Sequence, residues 1–197
     1  MVDGKIHHFS AGGLYNGLVL LVDDETNTYW DHMTGEALYG PLVGRILSRW
    51  GLQYTTVGAA LEENPRLQVL RPRPASFVAL AMRWLHRSAI GKRGFLPPGF
   101  RKTMGEVDSR LPEMEQGLGV IIDGQARFYA TGDIGEGVTD DWDGKILTVR
   151  VGAVDRVPFA VWGDGERPLQ IFARWYGFSF NYPGCAVVVG RPRQEFS

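Results

Sequence analysis

The stretch TYWDHMTGE, residues 28–36, sets a Trp, an Asp, a His, a Thr and a Glu within seven positions. His32 could work as a general base, oriented by Asp31, by Glu36 or by Asp108 from farther along the chain. Read as a strand entering a turn, the segment alternates. Tyr29, Asp31 and Met33 share one face, while Trp30, His32 and Thr34 share the other and would line a pocket. The competing reading packs Trp30 in the core and ties His32 to a backbone carbonyl. No nucleophile stands beside His32 in the sequence, which favours packing over catalysis.

Other residues of chemical interest are scattered. His7 and His8 are adjacent and would point to opposite faces of a strand, so one ion would not take both. No metal site is expected; His7, His8 and His32, helped by Asp24 or Asp31, are the residues that would build one. Asp108 and Arg110 flank a tight turn, where a local salt bridge competes with capture of a carboxylate or phosphate by Arg110. ARWYGFSFNY gathers Arg174, Trp175, Tyr176, Phe178, Phe180 and Tyr182 on alternating faces of an expected strand. Arg174 and Tyr176 are candidate ligand contacts there, although such aromatic density more often fills the space between sheets. Cys185 is the single cysteine, which excludes an intrachain disulfide and a cysteine cage. No phosphate loop, dinucleotide fingerprint or nucleophile elbow occurs, and no cofactor is evident.

These residues must be positioned by short strands. The chain has 197 residues with 26 Gly and 6 Trp, a composition of strands joined by tight turns. GLVLLVDDETNTYWD reads as a hairpin, with a strand over 18–22, a polar turn over 24–27 and a return strand carrying Tyr29 and Trp30. KIHHFS is a short strand broken by AGG. TTVGAALEENP is a two-turn helix capped by Thr55 or Thr56 and ended by Pro65, and LQVL returns as a strand. Phe77, Leu80, Ala81, Trp84 and Leu85 form the apolar stripe of a helix over 75–89, followed by a basic Gly/Pro-rich loop. LGVIIDGQARFYA is a hairpin with Asp-Gly at its tip, and further strands follow to CAVVVG. The expected fold is mainly β (α+β): two related antiparallel β units, 1–71 and 104–197, packed as one globule with an inserted helical arm over 72–103. The octapeptides VDGKIHHF and WDGKILTV hint at that relation.

A net charge of −1 gives no field to recruit nucleic acid. The first residues have no apolar leader core, and no apolar run reaches membrane-spanning length. The compartment is therefore open, cytoplasmic by default.

The runs FSAGGLYNGLVLLVDDETNTYWDHMTGEALYGPLVGRIL, DSRLPEMEQGLGVIIDGQARFYA and ARWYGFSFNYPGC resemble a prokaryotic family catalogued as domain of unknown function 3179. The resemblance rests on W-D-H-x-T-G-E with G-P-L-x-G, and it implies a β-rich domain without an assigned role. Family members usually carry two closely spaced cysteines ahead of VDGK. This chain starts after that motif, as a truncated member would. The resulting expectation is a ligand-binding or interaction module with a pocket around Trp30 and His32, taking a small molecule or a protein partner. The alternative is a hydrolase or lyase using His32 with a nearby carboxylate.

Overall fold

The computed structural model describes residues 2, 4–48, 51–69 and 99–188. The expected helix over 75–89 lies outside them. The protein is mainly β, as its strand patterning implies. β1 (Phe9–Tyr15), β2 (Leu18–Asp23), β3 (Tyr29–Asp31) and β4 (Ala37–Tyr39) form an antiparallel meander. Asn16 and Gly17, with φ of 50° and 71°, make the two-residue turn between β1 and β2. AGG does not end the first strand. It lies inside β1, where the register slips between Ala11 and Gly13 as a bulge and Gly13 takes φ 139°.

After β4 the described residues are largely irregular as far as α1 (Val57–Glu63), whose Thr56 hydroxyl accepts from the Ala59 amide at 3.2 Å. Leu67 to Val69 are exposed and not a strand, contrary to expectation, since they pair with no neighbour among the described residues.

A 3₁₀ turn, Phe100–Thr103, leads to the second half. There β5 (Gln116–Ile122) and β6 (Gln125–Ala130) form a hairpin across Asp123 and Gly124, both at positive φ. One helical turn, α2 (Thr131–Ile134), follows. β7 (Val138–Trp142), β8 (Lys145–Val151) and β9 (Pro158–Trp162) then make a three-stranded antiparallel sheet. The chain returns through β10 (Leu169–Arg174), α3 (Trp175–Asn181) and β11 (Ala186–Val188). β10 and β11 flank the hairpin in the order β10-β5-β6-β11, antiparallel except for β11 on β6.

The β5–β6 hairpin is covered on both faces, which is why GLGVII is nearly all buried. Leu118, Val120 and Tyr129 pack with Ile134, Trp142, Leu147, Val149 and Ala160 against the three-stranded sheet. On the opposite face, Ile121, Phe128 and Ala130 meet Trp175, Phe178, Cys185 and, from the first half, Met33. Gly117 and Gly119 leave room there for aromatic rings: a Cβ on Gly119 would sit 1.9 Å from Phe178 Cε2.

The aromatic run after Arg174 is a helix and not the expected strand. Trp175, Phe178 and Tyr182 follow one another at helical spacing, and Phe178 stacks obliquely on both Phe128 and Tyr182. Burial of these rings overrides the β preference of single aromatic residues. The first-turn amides of Trp175 and Tyr176 donate to the Glu115 and Glu113 carbonyls at 2.8 and 3.0 Å, which anchors the strand-to-helix turn.

The two halves meet along one seam. Leu18 lies so close to Gly177 that a Cβ there would come within 2.8 Å of Leu18 Cδ2. Tyr15 packs edge-on against Phe180, and Thr55 Oγ1 donates to Asp155 Oδ2 at 2.8 Å. WDGK is the tip between β7 and β8, whereas near the start of the chain Val2 and Lys5 form an isolated antiparallel bridge.

Candidate functional site

The DDET turn after β2 is organised by Asp23, which is wholly buried. Its Oδ1 accepts from the Thr26 amide at 2.7 Å and its Oδ2 from Trp30 Nε1 at 2.9 Å. Thr26 Oγ1 and His7 Nδ1 complete the set. Burial alone would raise the Asp23 pKa. The hydrogen bonds from Trp30, Thr26 and His7 together outweigh it and hold the carboxyl well below the usual range. Trp30 is fully buried and its polar edge is spent on Asp23.

β3 stops at Asp31, so strand alternation does not carry on to His32 and Thr34. Asp31 Oδ1 instead caps a turn, accepting from the Met33 and Thr34 amides at 2.7 and 3.0 Å. That turn sends Met33 into the core and His32 outward. His32 Nδ1 lies 2.7 Å from the Val19 carbonyl. A carbonyl only accepts, so Nδ1 carries the proton that it donates. Trp30 and His32 therefore do not share a pocket face: one is in the core and the other is exposed.

His32 does border a cleft of about 520 Å³ at the seam between the two halves. Leu18, Leu21, Met33, Leu47, Leu52, Ile171 and Phe172 supply its apolar walls, and Asp31, His32, Tyr54, Gln170, Arg174 and Tyr176 its polar groups. Four of the residues singled out in the sequence, Asp31, His32, Arg174 and Tyr176, thus meet in one place. β3 and its turn bring the first two, and the β10–α3 junction brings the others.

The cleft's charge is uneven. Arg174 Nη1 donates to the Met114 carbonyl at 2.5 Å, and among the described residues no carboxylate forms an ion pair with it. Asp31 is occupied by turn amides. Gln170 holds both the amide and the carbonyl of Ala160, at 2.7 and 3.1 Å, which makes it a strand tie. Burial pushes the Tyr176 phenol up, against a lowering influence from Arg174, so it stays a neutral hydroxyl.

The remaining candidates lie elsewhere. Thr34 Oγ1 accepts from the Glu36 amide at 3.2 Å, and Glu36 is exposed. Neither borders the cleft. Asp108 and Arg110 pair at 2.7 Å, and Arg110 Nη1 also donates to the Cys185 carbonyl. The guanidinium lies 5.3 Å from the centre of the Trp175 ring, so this pair clamps α3 to the preceding loop. Hydrogen bonding from Arg110 lowers the Asp108 pKa, and burial raises that of the Cys185 thiol. His7 and His8 do not occupy a strand. His7 meets Asp23, and His8 meets Glu25 at 2.6 Å. Leu52 and Tyr54 were not legible as site residues, because they come from an irregular segment without periodicity. Asp23 had a signal: an Asp three residues before a Thr at a strand's end is an Asx-type turn.

Fold and cleft together define a mainly β protein with an open, largely apolar cleft at the seam of two β assemblies. The chain belongs to the family described as "Protein of unknown function (DUF3179)", whose model matches residues 1–158. The matched span covers the first sheet and β5 to β8, ends at the first residue of β9, and so stops before the β10–α3 wall of the cleft. No curated protein and no solved structure is matched. No helix among the described residues is long and apolar enough to cross a membrane.

Proposed function

We propose that this protein binds a small amphipathic anion, with its apolar body in the cleft and a carboxylate on Arg174. The observation that carries the reading is a guanidinium that opens onto apolar walls and, among the described residues, forms no ion pair. Leaving a charge without a counter-ion in such a place is costly, and a ligand carboxylate would relieve that cost. His32 Nε2 and the Tyr176 hydroxyl are the further polar contacts for the ligand. The binding reading is favoured over the hydrolase or lyase because the hydrogen-bond partner of His32 is a carbonyl and, among the described residues, no carboxylate orients its ring.

Thermal-shift and calorimetric titrations with medium-chain carboxylic acids, each beside its matching alcohol, test this. The acids should stabilise the protein and the alcohols should not. Arg174→Gln should weaken acid binding by roughly tenfold or more, the worth of a charged hydrogen bond of about 1.5–3 kcal/mol. A flat response to every acid, or equal binding of acids and alcohols, refutes the assignment.

A further inference from the structure

The geometry points to a second site, for a divalent transition cation such as zinc, built by His7 Nδ1, Asp23 Oδ1 and Glu25 Oε2 on the turn after β2. Ligand atoms of the three residues lie within 4.8 Å of one another. His7 Nδ1 stands 3.2 Å from Asp23 Oδ1 and 4.0 Å from Glu25 Oε2. Metal–ligand bonds of about 2.0–2.2 Å to a tetrahedral centre place ligand atoms about 3.4 Å apart. The observed separations bracket that spacing.

The neighbouring pair makes the contrast. His8 Nδ1 and Glu25 Oε1 are 2.6 Å apart at the surface, a close ion pair. His7 and Asp23 have side chains only 5% and 0% exposed and stand 3.2 Å apart, a hydrogen bond whose place a bound ion would take. The ligands are also preset. Trp30 Nε1 holds the far oxygen of Asp23, and the His8 amide donates to Glu25 Oε2 at 2.9 Å, the outer hydrogen bonding that orients metal ligands. One imidazole with two carboxylates leaves a tetrahedral position open to water, and it suits zinc better than calcium, which prefers an all-oxygen shell.

Zinc chloride titrated calorimetrically into the chelator-stripped full chain near neutral pH, beside calcium chloride, is the test. The expected result is saturable one-to-one zinc binding that raises the melting temperature, with no comparable calcium response. His7→Gln should weaken it on the order of 100-fold and Glu25→Gln at least tenfold, while His32→Ala leaves it unchanged. Glu25 is exposed, so Glu25→Gln decides the matter if His7→Gln fails to fold. No saturable zinc binding by the wild type overturns the site. So does zinc binding that survives Glu25→Gln at full strength, or that depends on His8 and not on His7.

Discussion

Replacing Gly119 by Ala adds one methyl group at the most crowded point of the core. Gly119 sits in β5 without a left-handed backbone, so the substitution carries no conformational strain. The cost is steric alone. The new Cβ would lie 1.9, 2.4 and 2.5 Å from three atoms of the Phe178 ring. Phe178 is wholly buried, with Phe128 and Tyr182 at ring-centroid distances of 5.3 and 4.8 Å, and it has nowhere to swing. Overpacking ordinarily costs about 1–3 kcal/mol, and the lost flexibility of the unfolded chain returns about 0.4–1 kcal/mol. With three contacts this short the net should fall near the upper end, about 3 kcal/mol. In a domain of this size that lowers the melting temperature by roughly 6–12 °C. Urea unfolding should show a lower midpoint with an unchanged slope. Phe178→Ala alone should cost about 3–5 kcal/mol by leaving a cavity. In the double variant the methyl enters that vacated space, so the pair should be no less stable than Phe178→Ala, a coupling of about 2–3 kcal/mol. Gly132→Ala, which meets open space at an ordinary φ, serves as the control and should stay within about 0.5 kcal/mol. Additive costs for Gly119→Ala and Phe178→Ala would refute the packing argument.

Trp30→Ala should destabilise by about 3–5 kcal/mol in the same assay, because it empties a core position and strips a donor from buried Asp23, whereas His32→Ala should leave the melting temperature nearly unchanged. If the two fall together, His32 is structural. Arg110 depresses the pKa of Asp108 in the folded state, so this pair stabilises above the unfolded carboxyl value of about 3.9 and is lost as pH falls through the folded value. Asp108→Asn should accordingly flatten the acid limb of a stability–pH curve, and an unchanged limb would dismiss the pair. Burial, then the hydrogen bond to Asp140, raises the Tyr129 pKa, so its contribution is complete below about pH 10 and declines as pH rises further. Tyr129→Phe should shallow the alkaline limb, read by fluorescence-detected unfolding, and an identical limb would place the loss elsewhere.

The local signals of the sequence were legible where they acted alone. Asp123-Gly124 marked its hairpin, the Thr55-Thr56 pair its helix cap, which is Thr56, and the apolar run 18–22 its strand. They misled where distant packing overrode them. The aromatic run after Arg174 looks like a strand until the glycines of β5 offer its rings a surface to lie on as a helix. Asn16-Gly17 carried a strong turn signal masked by the nearby AGG, which is a bulge and not a break. At the cleft, His32, Asp31, Arg174 and Tyr176 stood out by residue type, yet their meeting depends on a seam joining positions about 140 apart in sequence. Strand alternation was also carried three residues too far, to Thr34, because the Asp31 cap ends β3 before His32.

The doubly covered β5–β6 hairpin has a consequence for how the chain is made. Its contacts are local and its turn is favourable, so it can form as soon as residues 116–130 are available. Its two apolar faces are sealed much later, one by the strands up to Trp162 and the other by β10, α3 and β11, which end at Val188. At roughly 5–20 residues per second, a ribosome takes several seconds to deliver that last cover. Throughout that interval the hairpin is a sticky ribbon with unpaired edges on both sides, open to other nascent chains. Solubility during synthesis therefore hangs on how fast the segment 169–188 docks, and slowing translation across it should shift product from soluble protein to aggregate.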